Sequence, residues 1–391
     1  MVRRRTVSNT NMYSLRKFGD MIGDSARFNA YANAISRSVR AGDVVAEIGC
    51  GPALFSLLGC RAGAKCVYAI ETEDIIDVAR QIAAANGFAD RIQFFQDDSR
   101  KVELPERVNA IVSDIRGVLP LFDGALASLQ DAKKRFLAPN GIMIPRRDVL
   151  KAAIIEAEKA YLRLASPWKT CVPQVELAIP LQLALNTAHS ITVNVEQLIS
   201  EPEEVCTLDY MGNPGPDVLG KLAFRAKRNG TAHGICLWFE TELYQDIGFS
   251  SGPESPVTIY GQLFLPWLEP VVIEEGQAIL VDLQANQVGK DYLWRWETEV
   301  PGANGGKRAH FRQSSFVGAI VSSRTLRRHA TDHIPVLTAE GEAERFLLEA
   351  MDGRASLEEI AKNAAERFPK VYCSHEDAFE RASELARKFS R

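Results

Sequence analysis

The chain has 391 residues, 46% of them apolar and 25% charged, with a formal net charge of −4 at pH 7. That length exceeds one typical domain and suggests two or three, in a composition ordinary for a soluble globular protein. The slight acidity offers no broad attraction for nucleic acid or an anionic membrane.

Seven scattered cysteines (50, 60, 66, 171, 206, 236, 373) form no C-x-x-C pair. They read as reduced core residues of a cytoplasmic protein, so neither a disulfide framework nor a metal site is expected. No early apolar segment resembles a signal peptide and no apolar run approaches a membrane span. Arg3, Arg4 and Arg5 read as a solvated tail.

Residues 13 to 40 read as helix ahead of the first strand, with Phe28, Tyr31, Ala32 and Ile35 at helical spacing. Arg27 is the notable polar residue there, able either to pair with a carboxylate such as that of methionine or simply to sit in solvent. Val44, Val45, Ala46 and Ile48 make a buried parallel strand, and Gly49-Cys50-Gly51 turns the backbone where a ligand can approach. A helix carrying Phe55, Leu57, Leu58 and Cys60 ends at Gly63. A second strand, Cys66 to Ile70, closes on Glu71. An acid about 20 residues after the glycines can accept both hydroxyls of a ribose. A dinucleotide site would want a third glycine at position 54, which is Leu54, so that reading is weakened. The S-adenosylmethionine pattern E-x-G-x-G-x-G is met by Glu47, Gly49 and Gly51, with Ala53 in place of the last glycine. A tight turn in some other α/β protein is the competing reading.

A helix from about Asp74 to Asn86 follows, then the strand Ile92 to Gln96 and the turn Asp97-Asp98-Ser99, with an acid well placed for an adenine amino group. The strand Ala110 to Val112 opens into a loop bearing Asp114 and Asp123, at the edge where carboxyl ends of parallel strands meet a ligand. Two nearby acids need something positive between them or a shared proton. A helix from about Leu126 to Phe136, a turn at residues 137–141 and the strand Ile142 to Ile144 complete the sheet. Past Pro145 the pattern alternates with period two, in Ile191–Val195, Gly234–Glu242, Val257–Leu265, Ala278–Ala285, Asp291–Glu299 and Lys307–Phe316, and helical periodicity is scarce. This predicts a β-barrel or sandwich. Residues 324–335 read as a polar linker. Residues 336–391 are helical again: Glu340 to Met351, then helices opened by Ser356-x-x-Glu359 and Ser374-x-x-Asp377. With 12 acidic and 9 basic side chains this tail is a poor phosphate binder, and a peptide- or protein-binding module is favoured.

Several stretches together resemble the protein arginine methyltransferases across roughly residues 13 to 320. They are F-G-x-M-x-x-D-x-x-R (Phe18 to Arg27), E-I-G-C-G-P, Glu71, VSDIRGVLPLFDGAL, and FSSGPESPVTIYGQLFLPW (Phe249 to Trp267). The resemblance implies S-adenosyl-L-methionine as cofactor, with Arg27 on its carboxylate, Glu71 on its ribose, Asp98 and Ser99 near adenine and Met21 by the reactive methyl. Asp114 and Asp123 stand for the family's two loop glutamates, Arg116 for a loop methionine, and Ile259-Tyr260 for the His-Trp of its Thr-His-Trp triplet. Pro167 to Leu185 stands where the family has its dimer-forming arm, so a homodimer is expected. With Glu342-Ala343 before a helix, the run Asp352-Gly353-Arg354-Ala355-Ser356-Leu357-Glu358-Glu359-Ile360 and Phe368-Pro369, the tail from Leu337 to Arg391 is similar to PqqD-like modules that bind leader peptides.

The expected architecture is a Rossmann-like class I methyltransferase domain with its N-terminal helices (1–146), a β-barrel substrate and dimerisation domain (147–325) and a small helical, winged-helix or PqqD-like module (336–391). The expected function is N-methylation of an arginine guanidino group in a peptide or protein, using Asp114, Asp123 and Arg116. The alternatives are a methyltransferase for another side chain or small metabolite, and a non-catalytic peptide-binding protein.

Overall fold

A computed structural model of the chain describes residues 14–169, 174–302 and 306–390. Arg3 to Arg5, Cys171 and Pro173 lie outside the described residues. The chain divides into two compact units, Met1–Ala319 and Ile320–Arg391.

The single helix expected over 13–40 is two, α1 (Leu15–Gly23) and α2 (Ser25–Ser38). Asp24 breaks them apart: its carboxylate accepts from the Arg27 amide at 3.1 Å and so caps the second helix. There follow β1 (Val44–Ile48), α3 (Leu54–Ala62), β2 (Cys66–Glu71), α4 (Ile75–Ala85), β3 (Ile92–Gln96), β4 (Val108–Ser113), α5 (Ala125–Phe136) and β5 (Leu137–Ile144). The five strands form one parallel sheet in the order β3-β2-β1-β4-β5. β1 is buried along its whole length, which explains its uninterrupted apolar run. The chain winds outward from β1 to β3 and then returns to β4 on the other side, so the carboxyl ends of β1 and β4 flank a topological switch point. The turn expected at 137–141 is part of β5 instead. Asn140 adopts φ 65° and the pairing shifts register there, an irregularity that an edge strand tolerates.

The rest of the first unit is built from β6 (Arg147–Ile155), α6 (Glu158–Lys169), α7 (Ala178–Leu185), β7 (His189–Ile191), β8 (Glu203–Asp209), β9 (Val218–Arg225), β10 (Gly230–Tyr244), β11 (Ile247–Ser250), β12 (Gln262–Ile273), β13 (Ala278–Val288), β14 (Asp291–Pro301), β15 (Lys307–Ser314) and the short α8 (Ser315–Gly318). Two antiparallel sheets, β7-β12-β10-β6-β8 with β11 on β10 and β15-β14-β13-β9, enclose a barrel-like core around Trp267, Trp296, Phe224 and Phe239. Helix is less scarce here than the sequence suggests. α7 reads AIPLQLAL, apolar on every side, and α6 carries Pro167 internally, so neither shows a clean one-sided stripe. Two predicted strands are also displaced: β7 runs from His189 to Ile191 where Ile191–Val195 was expected, and β12 begins only at Gln262 and continues to Ile273, leaving 258–261 as a turn with Gly261 at φ 62°.

The second unit holds α9 (Ser323–Arg328), α10 (Ala339–Ala350), α11 (Leu357–Arg367) and α12 (His375–Phe389), its described residues forming helices and turns without a strand. The segment expected as linker thus contains a short helix, capped by Ser322. Ser356 and Glu359 form the reciprocal capping box, and Ser374 accepts from the Asp377 amide at 3.1 Å. Ala343, Leu347, Ile360, Ala364, Ala378 and Leu385 give this unit a core of its own.

Candidate active site

The carboxyl ends of β1 to β4 border a cavity of about 320 Å³, lined by every site residue expected from the sequence: Met21, Arg27, Glu47, Gly49, Gly51, Glu71, Asp98, Ser99, Asp114, Arg116 and Asp123. Its size is at the lower end of the range for small-molecule pockets. The turn after β1 needs its glycines. Gly49 has φ 71° and a Cβ there would stand 2.5 Å from Ile115 Cγ2; Gly51 has φ 50° and would meet Phe18 Cε1 at 2.9 Å. Ala53, in place of a third glycine, takes the same left-handed region at φ 59°, a conformation costing an L-residue roughly 1–2 kcal/mol.

The acids of this turn differ by environment. Glu71 accepts from the Gly51 amide at 2.8 Å through Oε2, and through Oε1 from the amides of Thr72 and Glu73 at 2.8 and 3.1 Å. Oε2 keeps a second lone pair for a ligand hydroxyl. Glu47 is 3% exposed and accepts from the amide of Ser56 at 2.7 Å and from its hydroxyl. Burial pushes its carboxyl up to about 8, against the pull of the Ser56 bonds, so it is largely protonated at neutral pH. Asp98 is held by Arg100, whose Nε and Nη2 donate at 3.0 and 2.6 Å and bring its carboxyl down to about 2.

Arg27, in the first turn of α2, donates through Nε to Asp114 and to the Tyr260 hydroxyl (3.1 Å) and through Nη1 to the Met21 carbonyl (3.0 Å). Its Nη2 has no acceptor among the described residues. Asp114 is saturated. It receives Arg27, Arg116 Nη1 at 2.8 Å and the Tyr260 hydroxyl at 2.7 and 2.8 Å from its two oxygens, and its side chain is 7% exposed. Burial alone would raise its pKa, but the two guanidinium groups bring it below the usual carboxylate value.

Arg116 spends all five of its N–H donors inside the protein. Nε and Nη2 form a fork on Asp148 (3.0 and 2.9 Å), Nη2 also reaches Thr241 Oγ1 (2.9 Å), and Nη1 serves Tyr31 Oη (2.6 Å) and Asp114. Strand register assembles this receptor, because Thr241 of β10 and Leu208 of β8 pair with Asp148 of β6 from opposite sides, and Tyr210 just beyond β8 donates to Asp148 at 2.5 Å. Asp123 is different. It sits at φ 40° just before α5, its side chain 58% exposed, and pairs at 3.2 Å with Lys290 in the turn between β13 and β14.

The cation expected between the two acids is therefore not one group: each acid has its own. The sequence reading singled out Tyr260 but assigned it no role, placed Tyr31 on the helix face ahead of the first strand without its hydroxyl's part in holding Arg116, and missed Asp148, Tyr210, Thr241 and Lys290. A signal existed for Asp148, which shares the inward face of β6 with Leu150, Ala152 and Ile154 and is the one charge there. The others reach the site only through tertiary packing.

The Glu47 carboxyl gives a pH test. Between the ordinary glutamic acid value and about 8 the folded chain keeps a proton that the unfolded chain has lost, so this group's contribution is full at the acid end and falls away as pH rises to 8. Glu47→Gln should lessen the loss of stability from pH 5 to pH 8 by an amount on the order of a few kcal/mol, read from urea midpoints of both proteins at both pH values. Identical pH dependence would contradict the protonated state.

With this geometry in view, residues 149–298 match the model of the arginine methyltransferase oligomerization subdomain. The chain is 26% identical over 306 residues to probable protein arginine N-methyltransferase 6 of Arabidopsis thaliana, covering 66% of this chain and 70% of that protein. It is 29% identical over 278 residues to mouse protein arginine N-methyltransferase 2, covering 66% and 62%. Among solved structures it is similar to the Trypanosoma brucei PRMT1 enzyme–prozyme heterotetrameric complex with AdoHcy (TM-score 0.71, 21% identity, 76% of this chain and 96% of that one). It is also similar to Arabidopsis thaliana protein arginine methyltransferase 10 (TM-score 0.68, 21% identity, 77% and 97%). A Rossmann-like sheet joined to a barrel-like antiparallel domain is the fold shared with these structures.

Proposed function

We propose that this protein transfers the methyl group of S-adenosyl-L-methionine to an arginine guanidino nitrogen of a protein or peptide. The observation that carries the reading is that one cavity at the switch point gathers a guanidinium with a free Nη2, the open lone pair of Glu71 and the acids of the β4–α5 loop. Curated relatives named as arginine N-methyltransferases, and neighbours crystallised with AdoHcy or SAH, support the same assignment. The residues fit the cofactor: Arg27 Nη2 suits its carboxylate, Glu71 its ribose and the 97–100 turn its adenine. When bound, the cofactor supplies an electrophilic methyl on sulfonium sulfur. The chain's own part is alignment and charge: Arg27 and Glu71 fix one reactant, and carboxylate at the loop localises charge on the acceptor nitrogen.

Glu71→Ala removes an acceptor that a ribose hydroxyl has no substitute for, and should weaken S-adenosylhomocysteine binding by about 1.5–3 kcal/mol in calorimetry. A wild-type protein that binds no S-adenosylhomocysteine at millimolar concentration would contradict the function.

The assembly we propose is a cytoplasmic homodimer, and the second unit recruits the substrate as a PqqD-like peptide-binding module. The match to an oligomerization subdomain supports dimerisation, as do the exposed Leu162, Trp168, Val175 and Ile179 on and around α6 and α7, a cluster costly to leave in water. The self-contained core of the second unit supports a separable role for it. Truncation after Ala319 should leave the protein dimeric, with cofactor affinity unchanged, and raise KM for a peptide substrate; light scattering that gives a monomer, or an unaltered KM, would refute the corresponding assignment.

A further inference from the structure

The two acids of the β4–α5 loop are paired in ways that assign them different work. Asp114 is closed on all sides by Arg27, Arg116 and Tyr260. Drawing it toward an incoming cation would leave Arg116, itself 4% exposed along its side chain, short of a buried partner. Asp123 has one partner among the described residues, Lys290, and both side chains are more than half exposed. Such a pair is weak and readily exchanged.

The pair is nevertheless held in place by backbone. Asp123 occupies the left-handed region at φ 40°, which few residues other than glycine adopt, and the next residue, Gly124, donates its amide to the Lys290 carbonyl at 3.1 Å. That bond ties the acid loop to the β13–β14 turn, so Lys290 is delivered to Asp123 by the fold, and both residues line the cavity.

We propose that Asp123 alone receives the acceptor's cationic side chain, that Lys290 is a built-in competitor which the acceptor displaces, and that Asp114 is a positioning residue for Arg27. This rests on the arginine methyltransferase reading given above and specifies how that site selects its substrate. A planar guanidinium can bind a carboxylate through two parallel N–H bonds, whereas an ammonium offers only a point charge. Arginine therefore exchanges with Lys290 favourably, and an acceptor lysine gains nothing over the resident one.

The test is calorimetric titration of the full chain, loaded with S-adenosylhomocysteine, with a short peptide carrying one arginine and with the same peptide carrying neutral citrulline. The wild type should prefer arginine. Lys290→Gln, an exposed change, should tighten the arginine peptide about two- to fivefold and leave the citrulline peptide unmoved. Asp123→Asn should abolish the preference; Asp114→Asn should weaken S-adenosylhomocysteine yet keep the preference at saturating cofactor. The proposal is overturned if Lys290→Gln leaves the arginine peptide unchanged or weakens it, or if Asp114→Asn rather than Asp123→Asn erases the preference. Failure of the wild type to bind S-adenosylhomocysteine would instead strike the methyltransferase reading itself.

Discussion

The burial of the Arg116 guanidinium is the constraint to which the rest of this site answers. A planar cation with five donors has been taken out of water, and every donor must find an acceptor in a fixed fork. Asp148, wholly buried, supplies two of them, and Tyr31, Thr241 and Asp114 the rest. Burial works against the charge of Arg116, but Asp148, Tyr31 and Asp114 more than offset it and hold its pKa well above the ordinary value. Tyr210 and Tyr260, pushed upward first by burial and then by the neighbouring carboxylates, stay protonated and donate. The cluster joins the loop after β4 to α2, β6 and β10, so the parallel sheet and the antiparallel sheets are pinned at the cavity.

That arrangement breaks the symmetry of the two acids. Asp114 belongs to the scaffold and, through Nε, turns Arg27 so that its Nη2 is left over. Asp123 remains at the surface with an exchangeable partner. On the proposed function, cofactor grip and acceptor choice would fall to different residues, although both acids stand nine residues apart on one loop. Asp24 adds a further tie: while one oxygen caps α2, the other accepts from the Ile259 amide at 3.0 Å, setting Arg27 and the 258–261 turn in register.

What was legible in the sequence is what depends on near neighbours. The strand Val44–Ile48, the glycines, Glu71 and Asp98 lie in short segments whose spacing follows from strand-turn-helix geometry, and the cavity contains them all. The capping residues Ser356 and Ser374 were readable for the same reason. Arg116 could be recognised as an oddity in the acid loop, but its receptor lies 32 residues away at Asp148 and 125 away at Thr241, brought together by strand register that no local pattern encodes. Lys290 looks like any turn lysine until the β13–β14 turn is seen against the loop. α7 failed to announce itself because it is apolar all round, and β5 because Pro139, Asn140 and Gly141 are turn formers that a sheet edge can absorb.

The central claim is that Arg116 is a structural cation whose removal strands buried carboxylates, so the most direct measurement is the unfolding free energy of Arg116→Met in urea against wild type. Asp148 and half of Asp114 would be left without their partner in a site that excludes water. The account predicts a loss of about 3–5 kcal/mol, the scale for breaking a buried ion pair from one side. A loss below about 1 kcal/mol, the scale of an exposed pair, would contradict it.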